Sequence, residues 1–206
     1  DYLKLRNHVY GFIHQIFLEE TPRKLASDLV KGTFPVPAGL RTLNPDIDEG
    51  IELLLDYIKT CKNVDEVHER LHNEFIRLFI GPGSPPVPPY ETMYIDHKMS
   101  GPTLLELKKV YRQAGIEKKA DYREPEDNIA FEMRFMNYLG EKAMHDNTNT
   151  YLEMQKEFMD EHLLKWVPDF CEDLFTSNQS DFYKWIAKFT KGFLILDRSM
   201  LNELLQ

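Results

Sequence analysis

His68, Glu69 and His72 stand at the spacing of a zinc site. The run H-E-R-L-H matches H-E-x-x-H, a pattern in which two histidines one helical turn apart bind zinc and the glutamate acts as the general base. The longer pattern of metallopeptidases adds a glycine and a third histidine, but those positions hold Phe75 and Leu78. A zinc-dependent metallopeptidase is therefore the alternative function, and the rest of the sequence does not favour it.

No other motif for catalysis or cofactor binding occurs in the sequence. The turn at residues 81–84, G-P-G-S, lacks the lysine and the serine or threonine of a phosphate-binding loop, and neither G-x-G-x-x-G nor G-x-S-x-G is present. Cys61 and Cys171 lie far apart without a C-x-x-C, so they predict neither a disulfide framework nor a thiolate metal site. The motifs predict no enzyme activity, no cofactor and no metal.

The composition shows an excess of acidic residues. With 34 Asp and Glu against 25 Lys and Arg, the formal net charge is −9 and the pI is about 5.3. Non-specific nucleic-acid binding and basic membrane-surface helices need clustered Lys and Arg, so the charge argues against both and favours a cationic partner. No run of about 18 apolar residues appears, so no integral membrane segment is predicted, and the cysteine usage fits a reducing cytoplasm.

Apolar residues recur at steps of three and four through most of the chain, and no convincing strand alternation appears. These stripes predict helices over about 5–20, 22–31, 45–58, 64–80, 102–114, 124–143, 151–166 and 181–196. We predict an all-α, single-domain helical bundle of about eight to ten helices. Its N-terminal part is residues 1–81, its proline-rich connection is 82–90 and its C-terminal part is 91–206.

Local signals mark the helix ends. Thr21 and Asn44 each precede a proline, which is typical of an N-cap followed by the first helical residue, and Ser180 is predicted to cap the last helix. The acidic run at 124–127 is predicted to form the first turn of its helix, where negative charge suits the helix dipole. Pro168 is predicted to break or kink the helix that contains it.

The helix predicted from residue 124 carries two apolar faces, which indicates a central position covered on both sides. The first face holds Ile129, Met133, Met136 and Ala143, and the second holds Phe131, Phe135 and Tyr138. Glu132 lies close to the first face, so it is either a buried carboxylate with a partner or the rim of a cleft. His162 falls among apolar neighbours and is predicted to be a hydrogen-bonded core residue.

A proline-rich segment divides the helical pattern. Gly81 can adopt the left-handed conformation that ends a helix, and five prolines between residues 82 and 89 prevent its continuation. The segment is predicted to be a stiff connection, followed by Tyr90, Glu91 and Tyr94, which suits it either to hold a partner or simply to link two helical halves. Such a loop could also act as a hinge for helix exchange in a homodimer.

Three blocks of sequence together resemble one family. Residues 78–94 contain L-F-I-G-P-G and P-P-Y-E-T-M-Y, similar to L-F-x-G-P and P-P-x-E-S-x-Y. Residues 124–136 read E-P-E-D-N-I-A-F-E-M-R-F-M, and residues 157–170 with 182–187 contain F-M-D-E-H-L-L-K-W-V-P-D-F and F-Y-K-W-I-A. Over about half the chain, in the same order, these blocks resemble the TorD/DmsD/NarJ-type redox-enzyme maturation chaperones, in their TorD-like branch.

The resemblance implies an all-helical cytoplasmic chaperone that is not an enzyme. It would bind the twin-arginine leader of a molybdenum-containing oxidoreductase subunit and hold the precursor back from export until the cofactor is inserted. The leader-binding residues that it implies are Leu78, Phe79, Gly81, Pro82, Glu91, Tyr94, Gly101, Thr103, Pro125, Asp127, Asn128 and Glu132.

Two positions depart from the family pattern. The family's Asp-His pair is Asp127-Asn128 here, which removes a titratable ring, and Thr92 replaces the usual serine. The leader's guanidinium groups are expected to meet an acidic and apolar surface around Glu91, Asp127 and Glu132.

Overall fold

The computed structural model describes residues 2–18, 21–33, 38–81, 83–118, 124–146 and 148–206, and these form ten continuous helices. Among the described residues no strand is formed, and the one β-type pairing is an isolated antiparallel bridge between Tyr90 and Asn128. The all-α prediction is confirmed.

The helices follow one another in chain order. They are α1 (Tyr2–Ile16), α2 (Arg23–Lys31), α3 (Ala38–Arg41), α4 (Pro45–Lys59), α5 (Val64–Phe75), α6 (Glu91–Ile95), α7 (Pro102–Gln113), α8 (Ile129–Ala143), α9 (Thr150–Phe158), α10 (Leu164–Thr176) and α11 (Phe182–Leu204). A π-helical turn at Ile76–Ile80 extends α5. Another at Met159–Leu163 joins α9 to α10 without a break, so the eleven labelled helices form ten continuous ones in the described residues.

Two helix pairs make the most extensive contacts in the bundle: α4 lies against α11, and α1 lies against α8. Two glycines permit the close approach of α4 and α11. A Cβ added at Gly192 would lie 2.6 Å from Asn44 Oδ1, and one added at Gly50 would lie 2.9 Å from the Trp185 carbonyl oxygen. Helix α8 is buried on both predicted faces, with Met133 and Phe135 among its buried residues, so its central position is confirmed.

The predicted helix ends are partly confirmed. Asn44 caps α4 by accepting from the Asp46 amide at 2.9 Å, and Ser180 Oγ accepts from the Tyr183 amide at 2.8 Å at the start of α11. Thr21 does not cap α2, which begins one residue later than predicted, after Pro22. Helix α1 ends at Ile16 rather than near residue 20.

The start predicted for α8 is wrong. Asn128 is the N-cap, and its Oδ1 accepts from the Ala130 amide at 2.9 Å. The acidic residues 124–127 therefore precede the helix instead of forming its first turn. A capping side chain satisfies the free amides directly, so it sets the boundary more strongly than the weaker attraction of charge to the dipole.

Pro168 does not break the chain's helical course but lies inside α10. Its missing amide falls just after the π-helical turn, where the regular i to i+4 bonding is already interrupted, so little further bonding is lost. The buried side chains on both sides of it, including Trp166 and Phe170, are held in the core by a continuous helix.

Gly81 ends the helix before the proline-rich segment, as predicted. Its φ is +50°, in the region that favours glycine, and its amide donates to the Ile76 carbonyl at 2.8 Å. The segment then folds back, since the amide of buried Val87 donates to the Leu78 carbonyl at 3.2 Å. Within the described parts of the chain, no helix combines the length and hydrophobicity needed to cross a membrane.

Candidate functional site

The end of the proline-rich segment is fastened to the start of α8. The Glu91 amide donates to the Asp127 carbonyl at 3.0 Å, and the Ile129 amide donates to the Pro89 carbonyl at 2.9 Å. These two bonds form the 89–129 tie. It joins two of the sequence blocks that suggested the family, although the bonded residues lie 36 and 40 positions apart.

A small groove lies on one side of the tie, and we call it the Phe79 groove. Its lining is mostly apolar and consists of Phe17, Leu18, Phe75, Phe79, Ile80, Pro89, Tyr90, Glu124, Asn128 and Ala130. Its volume is about 70 Å³. Glu124 contributes its one carboxylate and accepts a hydrogen bond from the Tyr90 hydroxyl at 2.9 Å.

A larger cleft, the Glu91 cleft, has a volume of about 440 Å³. It is lined by Glu91 and Ile95 of α6, by Thr103, Glu106, Lys109, Val110 and Gln113 of α7, and by Glu157, Glu161, His162 and Lys165 from α9 to α10. The volume falls within the range of roughly 300 to 1,000 Å³ that is usual for ligand pockets. Its four glutamates outnumber its two lysines, so the cleft favours a cation.

Three carboxylates are buried next to this cleft, and we call Glu91, Asp127 and Glu132 the acidic cluster. Their residues are 1 %, 1 % and 0 % exposed. His162 Nδ1 lies 3.0 and 3.1 Å from the two Glu91 oxygens, and Trp166 Nε1 donates to Glu132 Oε2 at 3.0 Å. Of the alternatives for Glu132, the buried carboxylate with a partner is confirmed.

Asp127 is held by the first turn of α6. The Thr92 amide and hydroxyl donate to its Oδ2 at 3.1 and 2.6 Å. Its other oxygen, Oδ1, and Oε1 of Glu132 are buried and have no hydrogen-bond partner among the residues that the structure describes. Buried polar atoms are normally paired, so the cluster is incomplete as it stands.

Burial and mutual repulsion disfavour negative charge in the cluster. Burial raises the pKa of Glu132 well above its usual range, the charge of Glu91 raises it further, and the hydrogen bond from Trp166 opposes both. Burial also raises the pKa of Glu91, against the hydrogen bond from His162. Glu91 and Glu132 therefore retain their protons at a higher pH than free carboxyl groups do.

The structure divides the predicted site residues between several environments. Phe79 and Asn128 line the Phe79 groove, and Glu91 and Thr103 line the Glu91 cleft. Leu78 is a core residue. Pro82 lies outside the described residues.

The other predicted site residues mainly support these elements. Gly101 is buried as the N-cap of α7, and Pro125 is half-buried in the segment before α8. Tyr94 is half-buried, its ring lies tilted against Trp166 with 5.6 Å between ring centroids, and its hydroxyl donates to Asp173 at 3.1 Å. Gly81 is the helix stop described above.

The leader was expected to meet an acidic and apolar surface around Glu91, Asp127 and Glu132, and all three residues are buried in this structure. Their roles as leader-binding residues stay predictions.

The sequence analysis missed the charged residues that line the Glu91 cleft. His162 is hydrogen-bonded, as predicted, but it also faces the cleft. Glu157 and Glu161 lie one helical turn apart beside it, and Glu106 faces them from α7. The four-residue spacing of Glu157 and Glu161 could have indicated a charged binding surface, but the same spacing is equally typical of a solvent-exposed helix face.

The H-E-x-x-H motif is not arranged as a zinc site. His68 Nε2 lies 2.9 Å from the Thr21 carbonyl oxygen, and His72 is exposed. In the described ranges, no three His, Cys, Asp or Glu side chains are grouped so that they could hold a metal ion. The geometry therefore does not support the metallopeptidase alternative.

Comparisons with known proteins agree with the three sequence blocks. Residues 41–172 match the family model of the nitrate reductase delta subunit. The chain is 25 % identical over 178 residues to the chaperone protein TorD of Aliivibrio fischeri, covering 82 % of this chain and 83 % of that protein. It is 31 % identical over 140 residues to the Tat proofreading chaperone DmsD of Haemophilus influenzae, covering 65 % of each.

A solved structure shows the same fold. The redox enzyme maturation protein of Archaeoglobus fulgidus superposes with a TM-score of 0.54 at 18 % identity, over 95 % of this chain and 93 % of that one. Because the family model spans more than half of the sequence, the chain belongs to the nitrate reductase delta subunit family, which includes the TorD and DmsD chaperones and is not a family of enzymes.

Proposed function

We propose that this protein is a cytoplasmic chaperone that binds the twin-arginine leader of a molybdenum-containing oxidoreductase subunit. It holds the precursor back from export until the cofactor has been inserted. The named relatives, a TorD chaperone and a Tat proofreading chaperone, support this class of partner.

The observation that carries the proposal is the 89–129 tie. It brings the block that contains Phe79 and Glu91 against the block that contains Asn128, and its residues line both an apolar groove, at Pro89, and an acidic cleft, at Glu91. A twin-arginine leader has a cationic part followed by an apolar stretch, so it matches both surfaces. The net charge of −9 favours the approach of such a peptide.

The test is a calorimetric titration of the full chain with a panel of twin-arginine leader peptides encoded in the same genome. At least one leader should bind, and its Lys-Lys version should bind more weakly, because lysine keeps the charge but loses the planar fork of donors. Added salt should weaken binding only in part, since apolar contacts are not screened. Absence of binding by every leader, or equal affinity for the two versions, would contradict the proposal.

A matched pair of variants tests the groove. Ile80 lines it and is 43 % exposed, whereas Ile195 is 47 % exposed on α11 and lines neither concavity. Ile80→Gln should weaken leader binding by about tenfold through lost apolar contact, and Ile195→Gln should leave it unchanged. Equal effects of the two variants would show that the leader does not contact the groove.

A further inference from the structure

His162 differs from the other residues of the Glu91 cleft in its two ring nitrogens: Nδ1 has a hydrogen-bond partner, and Nε2 has none among the described residues. The residue is only 6 % exposed, yet it lines the cleft. Nδ1 lies within hydrogen-bond distance of both Glu91 oxygens, and the ring stacks on Phe158 with centroids 4.9 Å apart. Nε2 makes no hydrogen bond with any described residue. The ring is therefore held in place with one polar atom unused.

The chemistry of that atom follows from its partner. In the neutral tautomer that carries its proton on Nδ1 and donates it to Glu91, Nε2 has a lone pair and accepts hydrogen bonds. A ligand that binds here must supply a donor. The carboxylates at the mouth of the cleft indicate further that this donor belongs to a cationic group.

Glu157 is the acceptor that remains free at the mouth of the cleft. It is exposed and forms no hydrogen bond or ion pair with any residue that the structure describes. The other two glutamates at the mouth are already paired: Glu106 with Lys109 at 2.8 Å and Glu161 with Lys165 at 2.5 Å. An incoming cation therefore finds Glu157 open without having to displace a lysine.

The π-helical turn at Met159–Leu163 places His162 and Glu157 on the same cleft. In a regular α-helix, two residues five positions apart are separated by about 140° around the axis. A π-helical turn closes its hydrogen bonds at i to i+5 and brings such residues closer to one face, and single turns of this kind occur often at functional sites. The Leu164 amide bonds to the Met159 carbonyl in this way.

We propose that the Glu91 cleft is a guanidinium subsite that takes one arginine of the leader, with His162 Nε2 and the Glu157 carboxylate as its acceptors. This inference rests on the proposed function and names the residues that recognise the arginine pair. A guanidinium carries five donors in a fixed plane, so it can reach two separate acceptors, whereas an ammonium group is a compact point charge. Ile95 and Val110 line the same cleft and suit the methylene stem of an arginine.

The charges around the subsite favour a cation. The groups that face His162 are Glu91 from α6, Glu106 and Lys109 from α7, Glu157 from α9, Glu161 from the π-helical turn and Lys165 from α10. Carboxylates outnumber ammonium groups, and Glu91 holds the Nδ1 side of the ring.

The test uses the full chain and a leader peptide that the parent protein binds, with calorimetry as the measurement. Glu157→Gln should weaken binding roughly tenfold or more, as expected for a lost charge-assisted hydrogen bond. Glu153→Gln is the matched control, because Glu153 is exposed one turn earlier on the same helix and outside the cleft. It removes the same charge and should leave the affinity unchanged.

Two substitutions at His162 separate the binding role from the structural one. His162→Asn keeps a donor near Nδ1 for Glu91 but lacks the Nε2 acceptor, so it should fold and lose roughly tenfold in affinity. His162→Gln places an amide group near Nε2 and should retain more of the affinity. Addition of the Arg-Arg peptide to the parent should also shift the His162 Nε2 resonance.

The outcomes distinguish the two levels of the proposal. If the parent binds no twin-arginine leader, the proposed function fails and this subsite fails with it. If the parent binds the leader but Glu157→Gln behaves like Glu153→Gln, or His162→Asn binds like the parent, the proposed function stands and the guanidinium subsite is wrong. Should His162→Asn not fold, the comparison of Glu157→Gln with Glu153→Gln decides.

Discussion

Two buried polar clusters in this protein differ in how completely they are paired. The first, the Arg6 cluster, joins Arg6, Asp197, Tyr2, Tyr10 and Gln155. Arg6 Nε and Nη2 each donate to Asp197 at 2.7 Å, and the two tyrosine hydroxyls donate to the same carboxylate at 3.0 and 2.7 Å. Every oxygen of Asp197 therefore has a partner, and the charges of Arg6 and Asp197 cancel.

The acidic cluster, by contrast, contains three carboxyl groups and no lysine or arginine that pairs with them among the described residues. It places Glu91, Asp127 and Glu132 together, and none of them accepts a hydrogen bond from a lysine or arginine in the described part of the chain. Two of its oxygens, Asp127 Oδ1 and Glu132 Oε1, have no hydrogen-bond partner in the described ranges. Buried charge is tolerated when it is paired, so a cluster of carboxyl groups that lacks a cationic partner beside an open cleft is suited to a ligand rather than to stability.

The Arg6 cluster also shows what a purely structural network does. Gln155 accepts from Arg6 and donates to the Met136 carbonyl at 2.7 Å, so the network connects α1, α8, α9 and α11. It is closed to further partners. Both clusters are buried, so depth of burial does not distinguish a structural cluster from one suited to binding a ligand. The two differ in how completely their polar atoms are paired by hydrogen bonds.

Breaking the Arg6 cluster should have the largest effect. Asp197→Asn leaves the Arg6 guanidinium buried without a counter-charge, and the free energy of unfolding should fall by about 3 to 5 kcal/mol. Urea denaturation followed by circular dichroism measures the loss. The control is Asp65→Asn, because the Asp65 pair with Arg23 is largely exposed and should contribute less than about 1 kcal/mol. Similar losses in the two variants would remove the structural role assigned to the cluster.

A smaller loss is expected where the acidic cluster meets α6. Thr92→Val keeps the side-chain shape but removes the hydroxyl that donates to Asp127, so stability should fall by roughly 1.5 to 3 kcal/mol. Thr92→Ser retains the hydroxyl and loses one buried methyl group, a change of about 1 kcal/mol or less. Equal melting of the serine and valine variants would show that the hydroxyl does not hold Asp127 in place.

Relieving the acidic cluster should stabilise the protein by an amount that depends on pH. The pKa of Glu132 is raised in the folded state, so as pH rises above its ordinary value the unfolded chain loses this proton first and the parent becomes less stable. The slope is up to about 1.4 kcal/mol per pH unit until the folded-state pKa is reached. Glu132→Gln has no proton to lose and still accepts from Trp166, so its advantage should grow from about pH 5 to about pH 8.

Urea denaturation across that pH range measures this advantage. Glu153→Gln, an exposed substitution on α9, should run parallel to the parent. If Glu132→Gln also ran parallel, the pKa of Glu132 would not be raised in the folded state.

The sequence by itself determined the features that depend on neighbouring residues. The helices, the Asn44 cap and the positive φ of Gly81 follow from spacing and local hydrogen bonding, which act over a few residues. The local signals misled where packing was stronger. Pro168 remains helical because Trp166 and Phe170 are buried on either side of it, and the acidic run at 124–127 gives way to the Asn128 cap.

Only the tertiary structure decided which polar groups meet. Glu91 and His162 are 71 positions apart, and Thr92 and Asp127 are 35 apart, so no periodicity could pair them. The same holds for the burial of the acidic cluster, which depends on how α6, α7, α8 and α10 pack around it. Spacing shows which face of a helix a residue occupies, but the partner of that face is set by the packing of the whole bundle.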